Sequence, residues 1–152
     1  MSNVCRNQTK YGFGIAAEQS FHRDGGVFLH GSWNDGRTET YSFAEIERSL
    51  AARATMKGPL WHRPGDSLGV AWVMNGLSSE HRDYLARGGV GFLIGDGQLT
   101  RYKPEKILEA YYAIATFPGL WLSVDFQHIA NPAYNADRGP ARFLGVRLHL
   151  EL

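Results

Sequence analysis

Apolar and polar residues alternate along most of this chain, which is the period of a β-strand with two different faces. The clearest example runs from Leu144 to Leu152, where every second residue is aliphatic. Residues 120–127 repeat the pattern, with leucine, valine and phenylalanine on one face and Trp, Ser, Asp and Gln on the other. The same alternation occurs in residues 10–18, 27–33, 45–57, 68–75, 90–94 and 108–114. The pattern predicts an antiparallel all-β architecture of about eight strands, or nine if residues 98–102 add a short one.

Clusters of glycine, proline and aspartate separate the predicted strands and indicate tight turns. Only residues 79–87 resemble a helix, with Ser78 or Ser79 as its N-cap and Gly88 as its end. A longer polar loop covers residues 131–140. With eight strands, this loop and the helical segment would lie at opposite ends of a barrel, whereas the ninth strand would bring them to the same end.

Charged residues divide unequally between the two predicted faces. The apolar face carries one charge, Arg48, whereas the opposite face interleaves charged residues with Gly, Ala and Ser. A lipid-facing exterior around a water-filled interior requires this division, so the pattern favours the wall of an up-and-down transmembrane β-barrel. Aromatic residues suited to the girdles of such a barrel are Tyr11, Trp33, Tyr41, Trp72 and Trp121. A soluble β-sandwich that binds a sugar or a lipid also alternates, and it stays open as the second interpretation.

Composition and charge exclude several other classes of protein. The chain has 152 residues, the size of one domain, and its formal net charge of +1 argues against a nucleic-acid binder. One cysteine, and six histidines without metal-ligand spacing, predict no internal disulfide, metal site or cofactor. No apolar run reaches the roughly 18 residues of a membrane-spanning helix. The first ten residues lack the apolar core of an export signal.

Several ordered motifs run through the chain. They are Gly31-Ser-Trp-Asn-Asp-Gly-Arg-Thr-Glu-Thr40, Val73-Met-Asn-Gly-Leu-Ser78, His81-Arg-Asp-Tyr-Leu85, Ile107-Leu-Glu-Ala-Tyr-Tyr112, Gln127-His-Ile-Ala-Asn-Pro-Ala-Tyr-Asn-Ala-Asp-Arg-Gly-Pro140 and Gly145-Val-Arg-Leu-His149. In this order they resemble the carbohydrate-selective porin family (OprB-like) of Gram-negative outer membranes. The resemblance covers the chain from about residue 11 to its end and corresponds to the C-terminal portion of a family member. It implies a single barrel domain over residues 9–152, preceded by an unmatched, disordered leader at residues 1–8.

The resemblance implies an outer-membrane porin fragment that admits carbohydrates by facilitated diffusion, and not an enzyme. Its partners would be small carbohydrate solutes and outer-membrane lipid, with no nucleic acid and no cofactor.

Two local similarities to enzymes are weaker than the resemblance to the porin family. His81-Arg82-Asp83 mimics a kinase catalytic loop, but Gly88 stands where that loop needs asparagine. A hydrolase would need two carboxylates, such as Glu47 and Asp125, to converge in a cleft.

Selective passage of a sugar requires polar groups that exchange hydrogen bonds with hydroxyls, and aromatic faces for the apolar side of the ring. The candidate pore-lining residues on the polar face are Glu47, Arg53, Glu109, Trp121, Asp125, Gln127 and Arg147. Each could instead be a hydrated residue or pair with its cross-strand neighbour. A second set lies in the family-like motifs, where ion pairs or turn hydrogen bonds would brace loops. These residues are Arg37, Glu39, Asp137 and Arg138.

Overall fold

The structure, a computed structural model, describes residues 9–21, 23–38, 45–91, 94 and 98–151. Within them lie seven strands: β1 (Gly12–Phe21), β2 (Gly25–Asn34), β3 (Arg48–Lys57), β4 (Ser67–Gly76), β5 (Glu105–Phe117), β6 (Leu120–Ala130) and β7 (Ala141–Leu150). One α-helix, α1 (Ser79–Ala86), and two short 3-10 helices, Gly58–Trp61 and Pro132–Tyr134, complete the elements. The predicted leader at residues 1–8, the girdle candidate Tyr41 and the loop candidate Glu39 lie outside the described residues.

The seven strands form one sheet in the order β1 to β7, and each strand is antiparallel to the next. This up-and-down order confirms the predicted all-β antiparallel architecture. Within the described residues β1 and β7 do not pair with each other, so the sheet is open. It therefore has the form of part of a barrel wall.

The pairing register brings the apolar positions of all seven strands onto one surface. Leu50 on β3, for example, lies opposite Gly31 on β2 and Met74 on β4. Because side chains alternate along every strand, one aligned pair sets the faces of both strands. We call this surface the outer face; its large apolar residues include Phe13, Ile15, Leu29, Leu50, Val70, Leu108, Val124, Phe126, Leu144, Val146, Leu148 and Leu150.

The outer face is exposed. Leu144, Val146 and Leu148 keep 76%, 70% and 68% of their surface accessible, and Val124 keeps 41%. A β-sandwich would bury such a face beneath a second sheet, but the described residues form a single sheet. An apolar surface of this extent marks contact with lipid or another apolar partner. The barrel-wall interpretation is therefore correct, and the sandwich interpretation is wrong.

The described residues contain seven strands, one fewer than the eight predicted. Residues 90, 91 and 94, in the segment assigned to a fifth strand, are not in a strand, and the side chain of Ile94 is 5% exposed within a loop core. Residues 98–102 add no ninth strand either, since only Tyr102 makes an isolated bridge, to Asn135. Residues 92 and 93 of the segment at 90–94 lie outside the described residues. With seven strands, the helical segment and the loop at 131–140 lie at the same end of the sheet.

The two ends of the sheet differ in the length of their connections. Short connections at residues 22–24, 58–66 and 118–119 define the turn end, and long ones at 35–47, 77–104 and 131–140 define the loop end. Bacterial outer-membrane barrels have short periplasmic turns and longer extracellular loops. None of the helices in the described part of the chain is long and apolar enough to cross a membrane.

The long connections share a small core at the loop end. Its buried side chains are Leu77, Leu85, Ile94, Leu99 and Tyr134, which come from the second and third long connections. The Tyr134 hydroxyl donates to the carbonyl oxygen of Glu45, at 2.7 Å, and so ties in the first connection as well. Helix α1 begins as predicted, because the Ser78 hydroxyl accepts the backbone N–H of His81 at 3.0 Å.

At the turn end, Asp66 holds the connection between β3 and β4 against β5. Its carboxylate accepts hydrogen bonds from Arg63 Nε at 2.5 Å, the Tyr112 hydroxyl at 2.6 Å and the backbone N–H of Ala115 at 2.9 Å. The Trp61 indole N–H donates in turn to the Tyr112 oxygen, at 2.9 Å. Hydrogen bonds from Arg63 and Tyr112 lower the pKa of Asp66 to about 2, since they favour the charged form.

Candidate functional site

The inner face of the sheet, opposite the outer face, carries two neighbouring cross-strand rows of polar and aromatic residues. The first row contains Glu18, Phe28, Arg53, Ala71, Glu109, Gln127 and Phe143. The second contains Ser20, Gly26, Thr55, Gly69, Tyr111, Asp125 and Gly145. Four of the candidates predicted from the sequence, Arg53, Glu109, Asp125 and Gln127, thus lie in adjacent rows, although they come from three strands.

Arg53 and Tyr111 contact each other across an intervening strand. Tyr111 on β5 lies opposite Gly69 on β4, and Arg53 on β3 lies opposite Ala71. The Arg53 guanidinium donates to the Tyr111 hydroxyl at 3.3 Å. A Cβ atom at Gly69 would overlap the Tyr111 ring, so this contact requires glycine in that position. The small residues of β4 therefore form the floor on which the Arg53–Tyr111 pair lies.

A second pair continues the polar surface on β5 and β6. The Gln127 amide nitrogen donates to Glu109 Oε2 at 3.2 Å, and the two residues are direct cross-strand partners. Glu109, Arg53, Tyr111 and Arg147 line one open cavity of about 380 Å3. Both signs of charge and a phenol ring are thus available to one solute in this cavity.

Asp125 and Trp121 follow on β6 towards the turn end. The Asp125 carboxylate lies over Gly145 of β7, so close that a Cβ atom there would force the carboxylate to shift. The Trp121 ring packs on His149 with centroids 5.4 Å apart. Arg147 lies between them in register, opposite Ser123. These candidates extend the polar inner face by about two further rows.

Phe28 and Tyr111 belong to the site although they were not among the predicted candidates. Phe28 stacks on His30 with an interplanar angle of 6° and lines, with Glu18 and Arg53, a neighbouring cavity of about 310 Å3. The sequence does contain a signal for Tyr111, since the inner-face Gly69 leaves space for a large ring beside it. That signal becomes readable only once the register between β4 and β5 is known.

Glu47 lies apart from this group, in the first long connection and not in a strand. Its side chain is 3% exposed. Glu47 Oε1 pairs with His81 Nδ1 at 2.9 Å, and Glu47 Oε2 accepts the Ser78 backbone N–H at 3.2 Å. The structure therefore places Glu47 between loops, where it joins the first long connection to the start of α1.

The three loop-bracing candidates that the structure describes, Arg37, Asp137 and Arg138, are at the loop end. Asp137 pairs with Arg101 at 2.5 Å and so links the second and third long connections. Arg138 is exposed beside it. Arg37 lines a cavity of about 280 Å3 together with Glu80, His81 and Tyr84. The loop end thus contains an ion pair between two of its connections and a polar, partly aromatic cavity beside α1.

The described part of the site consists of hydrogen-bonding groups and aromatic rings. Among the described residues, no group of three or more His, Cys, Asp or Glu is placed to hold a metal ion.

An exposed apolar outer face and a polar inner face with charges of both signs define the wall of a porin-type transmembrane β-barrel. The model of the carbohydrate-selective porin family, OprB, matches residues 2–152. The chain belongs to the OprB family.

Two individual proteins are also similar to this chain. Porin AaxA of Chlamydia pneumoniae is 26% identical over 147 residues, which are 97% of this chain and 30% of AaxA. A structure of Pseudomonas putida OprB at high pH superposes with a TM-score of 0.73 at 17% identity, covering 93% of this chain and 35% of that one. The chain thus spans about a third of the length of each. Its fold is that of an outer-membrane porin wall, and such channels are not enzymes.

Proposed function

We propose that this chain forms part of the wall of a water-filled outer-membrane pore, through which small neutral carbohydrates cross by facilitated diffusion. The observation that carries the proposal is the division of one sheet into an exposed apolar face and a polar face. The apolar face suits lipid, and the polar face suits a hydrated solute. Membership in a family of carbohydrate-selective porins supports a sugar as that solute.

The inner face provides both kinds of contact that a sugar requires. Arg53 and Arg147 donate hydrogen bonds, Glu109 accepts them, and Gln127 does both. The rings of Tyr111 and Phe28 present flat apolar faces to the C–H side of a pyranose. Because Arg53 already pairs with Tyr111 and Gln127 with Glu109, a sugar hydroxyl that binds there exchanges one hydrogen bond for another of similar strength. Such binding is weak enough for the solute to leave, which conduction requires.

Charge on the inner face favours a neutral solute over an ion. The described strands present acids, among them Glu18, Glu109 and Asp125, alongside the bases Arg53, Lys57 and Arg147. A wall with interspersed charges of both signs creates little net potential along the path. Weak ion selectivity is therefore expected.

The proposal is tested by reconstituting the full chain into phosphatidylcholine liposomes and measuring swelling in isosmotic glucose, with gluconate as the charged comparison. We expect faster swelling than in protein-free liposomes, and a lower sugar rate for Arg53→Gln and Glu109→Gln, by roughly 3- to 10-fold each if one hydrogen bond is lost. Lys57→Gln is the matched control, since it removes a base from the inner face of β3 outside the cavity that contains Arg53.

Insertion is measured in the same liposomes by protease protection and circular dichroism. A chain that is inserted and β-rich but leaves glucose permeability at the protein-free level would refute the proposal for this chain. Equal losses in Lys57→Gln and Arg53→Gln would refute the assignment of the sugar contacts to the Arg53–Tyr111 and Glu109–Gln127 pairs.

A further inference from the structure

Three charged side chains occur among the strand residues of the outer face, and all of them are basic and near the loop end. They are Arg48 on β3, Lys106 on β5 and Arg142 on β7. The described outer-face strand positions contain no aspartate or glutamate, whereas the inner face carries both signs. A lipid-facing charge is costly in the middle of a bilayer and is tolerated near its surface. These cations therefore mark where the apolar part of the outer face, here called the apolar belt, ends toward the loop end.

These cations lie at a common depth once the strand tilt is considered. Arg142 on β7 lies four residues nearer the turn end than the position that is level with Arg48 when the pairing register is continued. Four steps between neighbouring strands separate β3 from β7. With ordinary strand rise and spacing, this offset corresponds to a tilt of about 35°. Strands of outer-membrane barrels are tilted by about that angle. In a barrel whose strands have that tilt, a line through the cations is parallel to the membrane plane.

Lys106, His128 and Arg142 form a compact group on three successive strands, here called the rim triplet. His128 lies directly opposite Arg142 on β7 and directly opposite Leu108 on β5. Lys106 comes two residues before Leu108, so it is a diagonal neighbour of His128. Sheet geometry places the Cα atoms of direct partners about 5 Å apart and those of diagonal neighbours about 8 Å apart. The Cα atoms of Lys106 and Arg142 are accordingly about 12 Å apart, and the His128 imidazole lies between the two side chains.

The two cations of the triplet are available to an external anion. Lys106 and Arg142 are exposed, and neither has a hydrogen bond or an ion pair to a side chain among the described residues. Arg48 differs, because it interacts electrostatically with Glu80 of α1 and lies two strands away from Lys106. The triplet is thus a basic site on the outer face whose two cations have no ion-paired carboxylate in the described part of the chain.

We propose that the rim triplet binds the phosphate groups of a phosphorylated glycolipid in the membrane leaflet at the loop end. This inference rests on the proposed membrane placement of the sheet. The long side chains of Lys106 and Arg142 lay their methylene stems along the apolar belt and direct their charged ends to the headgroup level. There they meet phosphate oxygens, for which guanidinium and ammonium groups are strong charge-assisted donors.

The spacing of the triplet favours a headgroup with two phosphates. The Cα atoms of the two cationic residues are about 12 Å apart on a rigid sheet. Their side chains therefore reach two phosphates on one sugar headgroup more readily than they converge on a single phosphodiester. Residues from Leu144 to Leu150 continue directly below Arg142 on the outer face. They provide an apolar track for the acyl chains of the same molecule.

The test uses the full chain refolded in a neutral detergent and titrated with fluorescent bis-phosphorylated lipid A. We expect saturable binding that is at least about 10-fold weaker for lipid A from which the phosphates have been removed. Lys106→Gln and Arg142→Gln are each expected to weaken binding by about 5-fold, and Lys106→Arg to retain it. The matched control is Arg48→Gln, which removes the outer-face cation outside the triplet and should change the affinity less than about 2-fold.

Three results would overturn the inference. One is equal affinity for lipid A with and without phosphates, and another is equal weakening by Arg48→Gln and Lys106→Gln. The third is equal affinity for phosphatidylglycerol at matched charge, which would indicate a general attraction for anionic lipid. Because this binding is measured in detergent, it does not depend on conduction. A chain that binds lipid A but does not conduct sugar would refute only the proposed function.

Discussion

The ring of Tyr111 lies over Gly69 of the neighbouring strand, and this position allows its hydroxyl to reach Arg53 one strand further on. One missing side chain on β4 thereby creates a contact between β3 and β5 in the middle of the inner face. The register that sets Gly69 opposite Tyr111 is thus as important to the site as the polar residues themselves.

We expect Gly69→Ala to break the contact between Arg53 and Tyr111, because the added methyl group would overlap the ring. Loss of this hydrogen bond, worth about 0.5–1.5 kcal/mol, should change glucose-driven liposome swelling by roughly 2- to 10-fold while the sheet remains folded. The matched control is Gly26→Ala in the same cross-strand row, where the nearest atom to the new Cβ is 3.7 Å away. A change as large in Gly26→Ala as in Gly69→Ala would contradict the explanation.

The buried Glu47 should govern the opening of the loops at the loop end. Glu47→Ala leaves the buried N–H of Ser78 without its acceptor and removes the partner of His81. An unsatisfied buried donor costs about 1–3 kcal/mol, so the population of open loops should rise by roughly 5- to 160-fold. Limited proteolysis between residues 77 and 91 measures this opening.

The control for that experiment is Glu80→Ala, which removes an exposed carboxylate from the first turn of α1. It should change the cleavage rate much less than Glu47→Ala does. Glu47→Gln keeps an acceptor oxygen for Ser78 and should give an intermediate rate. Cleavage that is equally fast in Glu47→Ala and Glu80→Ala would show that the buried carboxylate does not hold the loops.

Asp66 should make the turn end sensitive to acid. Its pKa is lowered from 3.8 to about 2 in the folded chain. A group with a lower pKa in the folded state stabilises the fold above its unfolded pKa, and this contribution is lost as the pH falls from about 4 to about 2. The difference in urea midpoint between the wild-type chain and Asp66→Asn should therefore be largest above pH 5 and shrink towards pH 2. A difference that stays constant over this window would contradict the assignment.

Two alanines of β5 allow a matched test of the two faces. Ala110 lies in the outer-face row between Val70 and Phe126, whereas Ala113 lies on the inner face between Ser67 and Ser123. Ala110→Lys should destabilise the inserted chain by about 2–4 kcal/mol, because it puts a charge near the middle of the bilayer. Ala113→Lys should change stability by about 0.5 kcal/mol or less, since its ammonium group is in water. Urea midpoints in phosphatidylcholine vesicles measure both, and similar values would contradict the face assignment.

The faces of the strands were readable from the sequence because a strand alternates its side chains with a period of two. That period separated Arg53, Glu109, Asp125, Gln127 and Arg147 from the aliphatic positions before any pairing was known. The N-cap at Ser78 was also predictable, because a serine hydroxyl satisfies a backbone N–H only a few residues away. Each of these features is local in the chain.

Only the tertiary structure decided the features that join distant segments. Alternation at residues 90–94 looks like a strand, but Ile94 is buried in the loop core with Tyr134, some forty residues further along the chain. Glu47 has the spacing of a wall residue, yet its carboxylate pairs with His81 from another loop. The contact between Arg53 and Tyr111 depends on the register of two strand pairs. Alternation specifies which side of a strand a residue faces, whereas its contacts are set by pairing and packing between segments far apart in sequence.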